Sequence, residues 1–161
     1  MTRLLCATMF IGMVLAAVAT AVGGNKGLSI EIDRSQQIAG NPFEVRLRND
    51  GAEDLGYCMS LCGRIISTDD QAVAPAFEVQ ILRNDRWADE LWICDVGDNV
   101  TSAMARSGES VRFKIKLTTP GRYRLRLSYR PDRLHQEDGA CGVGKWKRAT
   151  SGEFEVIEQS K

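Results

Sequence analysis

The chain has 161 residues, with 21 Lys and Arg balanced by 21 Asp and Glu for a formal net charge of zero. Without a basic excess nothing gathers phosphates, so nucleic-acid binding and adsorption to acidic membranes are excluded as its main business. A hydrophobic fraction of 43% with 26% charged residues belongs to a folded globular chain of one domain, not to a disordered one.

Residues 1–21 open with Met-Thr-Arg, continue as an apolar run from Leu4 to Val18 and close on Ala19-Thr20-Ala21. A short basic start, an apolar middle and a small-x-small site in that order predict a secretory signal peptide cleaved after Ala21. The apolar run falls short of the roughly 20 residues a bilayer needs, so no membrane span is expected after its removal. Cleavage discards Arg3 and Cys6, which leaves one more acid than base and an even set of cysteines, Cys58, Cys62, Cys94 and Cys141. The expected location is periplasmic or secreted, where disulfides are the default fate of such a set.

Residues 22–161 are expected to form a single domain. Apolar residues recur at every second position in Leu28-Ile30-Ile32, Phe43-Val45-Leu47, Phe77-Val79-Ile81, Val111-Phe113-Ile115-Leu117, Tyr123-Leu125-Leu127-Tyr129 and Phe154-Val156. Period two is the signature of strands buried on one face. Turn residues separate them: Gly40-Asn41-Pro42, Asn49-Asp50-Gly51, Asn84-Asp85, Ser107-Gly108 and Pro120-Gly121. Trp87 to Ile93 returns from the Asn84-Asp85 turn as a seventh strand. No segment sustains a helical period. The expectation is an all-β, antiparallel sandwich of about seven strands, stapled by disulfides.

Gly108-Glu-Ser-Val-Arg-Phe, then Pro120-Gly121-Arg-Tyr123-Arg-Leu125, then Gly152-Glu-Phe-Glu-Val156 resembles the immunoglobulin-like or fibronectin-III-like domains of secreted bacterial proteins. The resemblance covers most of residues 27–157. It implies that Tyr123 enters the penultimate strand as a tyrosine corner, and that residues 50–75, 93–105 and 131–151 gather at one end with all four cysteines. The chain departs from antibody domains in lacking their Cys, Trp, Cys order.

Four cysteines allow three pairings. A Cys58 to Cys62 bridge would close a trivial loop, whereas Cys62 with Cys94 and Cys58 with Cys141 close long ones, and this last pair of bridges is preferred. Cys58-Met-Ser-Leu-Cys62-Gly63 is also similar to the binuclear copper segment of cytochrome oxidase subunit II. That match ends at Ile66, where the segment needs a His, and the chain holds one histidine, His135. Neither a metal nor another cofactor is expected, although Met59, a Cys thiolate and His135 would suit copper.

No Gly-x-Ser-x-Gly elbow marks a nucleophile, and Asp69-Asp70 or Asp95 with Asp98 read as solvated loop acids, so the chain is not read as an enzyme. Residues 131–151 carry Lys145-Trp146-Lys147-Arg148, a bulky aromatic among cations that serves either as a partner contact or as a cap on the open end of the core. With Tyr57, these four are the candidate partner contacts. The function expected is an exported, non-catalytic binding or structural module of the bacterial cell envelope, with an envelope protein or a glycan as partner. A protease inhibitor using the end loops is the first alternative, although the Asn-Pro-Thr-Thr-Gly loop of the chagasin-like inhibitors is replaced by Asn41-Pro42-Phe43-Glu44. A copper-binding periplasmic protein is the second.

Overall fold

The computed structural model describes residues 27–61, 65–66, 73–90, 100–131, 141 and 145–159. Among them the strands in chain order are β1 (Leu28–Ile32), β2 (Gln36–Ile38), β3 (Pro42–Asn49), β4 (Leu55–Leu61), β5 (Ile65–Ile66), β6 (Val73–Pro75), β7 (Glu78–Arg83), β8 (Arg86–Asp89), β9 (Val100–Ala105), β10 (Ser110–Lys116), β11 (Gly121–Pro131), β12 (Lys147–Thr150) and β13 (Phe154–Ile157). The expected signal peptide, Cys62, Cys94, Trp92, His135 and the acids at 69, 70, 95 and 98 lie outside the described residues.

Two sheets pack face to face. The smaller has the order β1, β3, β10, β5. The larger is built on β11, whose first half pairs with β13 on one side and β7 on the other, and whose second half pairs with β12 and β4. β8 extends β7 as a hairpin, and β6 and β9 both pair with β4. Read as first, second and fifth strands in one sheet and third, sixth and seventh in the other, this is the immunoglobulin-like order. β2 runs parallel to β13, so the first part of the chain contributes to both sheets.

The six alternating segments supply the core, because period two puts every apolar residue of a strand on one face. Val45, Leu47, Ile115, Tyr123 and Leu125 are completely buried. Phe43 of one sheet meets Phe154 of the other edge to face, with ring centroids 5.4 Å apart. Tyr123 donates its hydroxyl to the Thr119 carbonyl at 2.9 Å, the tyrosine corner that the resemblance implied. The β7 to β8 turn places Asn84 and Asp85 both at positive φ, 50° and 59°, the two-residue hairpin geometry that matches the twist of its strands.

Three expectations need correction. Residues 50–75 are not simply a loop, since β4 and β6 widen the larger sheet while β5 crosses to the smaller one. Residues 100–105, assigned to the rim, form β9. The strand expected to run from Trp87 to Ile93 stops as β8 at Asp89, with Glu90 outside it, and residues 91–93 lie outside the described residues.

Charges on the outer faces pair across strands. Glu31 faces Arg46 in register at 3.8 Å, and Glu78 faces Arg126 at 3.3 Å. On β10, Arg112 stands opposite Arg46, and Glu44 reaches both at 3.6 Å. Exposed pairs of this kind contribute little stability and help to fix register.

Candidate functional site

β11 has an arginine at three successive outward positions, Arg122, Arg124 and Arg126, followed by Ser128 and Arg130, because its inward positions carry the core. Beside its second half, β12 sets Arg148 opposite Ser128. β4 alternates Leu55 and Tyr57 inward with Gly56 and Cys58 outward, which puts the Cys58 sulfur on this same outer face. There it is bonded to Cys141, with the two Cα atoms 5.6 Å apart and 83 residues apart in sequence. The bridge therefore pins the chain leaving β11 back onto the outer face of the sheet, a few residues before Trp146.

Trp146 is half-buried, and the Arg130 guanidinium lies over its ring, 4.5 Å from the centroid. Arg130 itself is 1% exposed. A cation on an indole face is a favourable contact and is strengthened when partly desolvated. Together Cys58, Ser128, Cys141, Trp146 and Arg148 line an open cleft of about 510 Å³. Its position on the outer face of the larger sheet was hidden from sequence reasoning, which placed binding on the loop tips.

The predicted contact residues separate. Trp146 and Arg148 line the cleft, and Lys145 and Lys147 are exposed on either side of Trp146. Trp146 is not part of the core cluster, so it caps the outer face of β11 and not the open end of the core. Tyr57 is a correction: it is 2% exposed and points into the core, since β4 is a strand with its odd positions inward. Burial, and then the Glu109 charge, push its phenol up to about 12. Of the two expected bridges, Cys58 to Cys141 is present, and Cys62 and Cys94 lie outside the described residues. Cys58 is thereby spent as a thiolate for copper, and among the described residues no group of three or more His, Cys, Asp or Glu could hold a metal ion.

A second ordered cluster lies lower on the same face. Arg124 sits over the Trp87 ring at 4.4 Å and donates to Gln80 at 2.7 Å, which in turn donates to Asp89 at 2.7 Å. Gln80 is 5% exposed beneath this arrangement. Arg124, Gln80 and Asp89 thus form one chain of hydrogen bonds under the Trp87 ring, which marks the cluster as a brace for the β7 to β8 hairpin.

No family model matches the chain. No curated protein matches it either. Among solved structures it is similar to an ASH/PapD-like domain of human CEP192, with 12% identity, 94% of this chain and 98% of that chain covered, and a TM-score of 0.33. It is also similar to the CARDB domain of PF1109 from Pyrococcus furiosus, with 15% identity, coverage of 81% and 94%, and a TM-score of 0.34. A third is BslA, a bacterial hydrophobin, with 12% identity, coverage of 86% and 100%, and a TM-score of 0.39. The immunoglobulin-like assignment rests on this chain's own strand order and tyrosine corner. Among the described residues no helix is long and apolar enough to cross a membrane.

Proposed function

We propose that the protein is an exported, non-catalytic binding module of the bacterial cell envelope that holds its partner in the cleft beside Trp146. The observation that carries this reading is the cleft itself: a tryptophan set against a buried arginine, an exposed arginine and a serine hydroxyl, all on a rigid sheet and closed by a disulfide. Binding sites favour a few polar groups converging on an aromatic surface, and tryptophan and arginine carry a disproportionate share of contact energy. The disulfide supports an oxidising compartment, in keeping with the signal-like residues 1–21.

The test is retention of native envelope components on protein immobilised by its C-terminus, compared with the Trp146→Ala protein after both have been shown to fold. A component held by the parent and lost by the variant is the expected result. Equal retention by both refutes the cleft as the binding surface.

A further inference from the structure

We infer that the occupant of the cleft is a carboxylated sugar, a uronic acid unit of an acidic glycan. This rests on reading the cleft as the binding surface and goes on to name what fills it.

Charge comes first. The Arg148 side chain is 60% exposed, and its Nε stands 3.9 Å from Glu78, a carboxylate already engaged by Arg126 at 3.3 Å. Two guanidiniums thus share that carboxylate, which leaves positive charge over at the cleft wall. Among the described residues no acid lines the cleft. Arg130 already covers one face of the indole, so a second cation laid against the ring would meet cations on several sides. An anion meets the opposite situation, and a planar guanidinium grips a carboxylate through two parallel hydrogen bonds.

Shape selects the carrier of that carboxylate. The cleft, at about 510 Å³, is within the range of small-ligand sites, roughly 300 to 1,000 Å³. Among the described residues its surfaces are an indole plate, a disulfide, a hydroxyl and a guanidinium. A uronic acid pyranose uses the indole and both polar groups: its C–H face lies on the indole, its carboxylate takes Arg148 and a ring hydroxyl pairs with Ser128, which can both donate and accept. An acidic peptide would instead look for an open strand edge. On the cleft floor β11 is paired with β4 on one side and β12 on the other, so a peptide would have to add at the outer edge of β12.

The test uses the full protein and follows tryptophan fluorescence and isothermal titration with trigalacturonate, a hyaluronan tetrasaccharide, the methyl ester of trigalacturonate and a hexaglutamate peptide. Both uronate probes are expected to bind, the methyl ester to bind at least tenfold more weakly, and the peptide not to bind. Arg148→Ala should weaken uronate binding about 10- to 100-fold, the loss expected for a charge-assisted pair, while leaving the thermal transition in place. Equal binding of acid and ester overturns the assignment, as does preference for the peptide or failure of both uronates. Running the envelope retention assay on the same preparations separates the two levels. Loss of uronate binding with Trp146-dependent retention intact removes the sugar and keeps the cleft, whereas loss of both removes the cleft as well.

Discussion

Raising the pH should unfold this protein through its tyrosines. The chain has three, and the fold buries all of them, Tyr57 at 2%, Tyr123 at 0% and Tyr129 at 3% exposure. Burial comes first among the causes that hold each phenol above its ordinary value of 10, and it carries Tyr57 up to about 12. Below pH 10 both folded and unfolded chains keep these protons, and stability is independent of the tyrosines. Above it the unfolded chain loses protons that the folded chain retains, so stability falls as pH rises toward the folded values. For Tyr57 the gap of two pH units corresponds to roughly 3 kcal/mol. A domain of ordinary stability, about 5 to 15 kcal/mol, loses much of its margin once Tyr123 and Tyr129 add to this. The assay is a titration from pH 9 to 12.5 followed together by phenolate absorbance near 295 nm and far-ultraviolet circular dichroism. The two signals should move as one transition above pH 10, and a tyrosine that ionises near 10 while the sheet signal stays intact would refute the reasoning.

Asn49, completely buried, donates its amide to the carbonyls of Glu53 and Ala105 at 2.8 and 2.9 Å and accepts from the Gly51 N–H at 2.9 Å. Asn49→Ala strands all three groups and should cost roughly 2 to 4 kcal/mol by urea denaturation; a loss under 1 kcal/mol would show that water replaces the side chain. The Cys58 to Cys141 bridge closes a loop whose ends are 83 residues apart, for which chain entropy predicts about 4.5 kcal/mol. The double serine variant should accordingly unfold at lower urea, and an unchanged midpoint would argue against the bridge. Asp85 holds φ at 59° in the β7 to β8 turn, a conformation that costs a side chain but not glycine. Asp85→Gly is therefore expected to gain roughly 0.5 to 1 kcal/mol, visible as a raised Tm in calorimetry.

Strands that carry large apolar residues at alternate positions were legible because their pattern is their packing. Others were not. β9 reads Val-Thr-Ser-Ala-Met-Ala, and it turns Ala103 and Ala105 inward while Met104 is 37% exposed, so its hydrophobic contrast is the reverse of its burial. β2 buries Gln37, which donates to the Arg34 carbonyl at 2.9 Å, and leaves Ile38 exposed. β12 buries only Ala149 between polar neighbours. β4 does alternate, Leu55, Tyr57, Met59, but glycine, cysteine and serine between them gave the stretch the composition of a loop. The same disguise moved Tyr57 from the core to the list of contacts. At the site, the residue types at Trp146 and Arg148 were visible, whereas Ser128 and the buried Arg130 become partners only through the pairing of β11 with β12 and the placing of Trp146 over Arg130.

The parallel pairing of β2 with β13 has a mechanical side. Gly27 lies by the cleft end of the sandwich, where its carbonyl accepts from the Asp50 N–H at 3.0 Å and a side chain on it would run into the Tyr129 hydroxyl. β13 leaves at the far end, where the Ile157 carbonyl accepts from the Ala39 N–H at 2.8 Å. Tension applied between residue 27 and residue 159 would load this ladder lengthwise, straining its bonds together and not one after another.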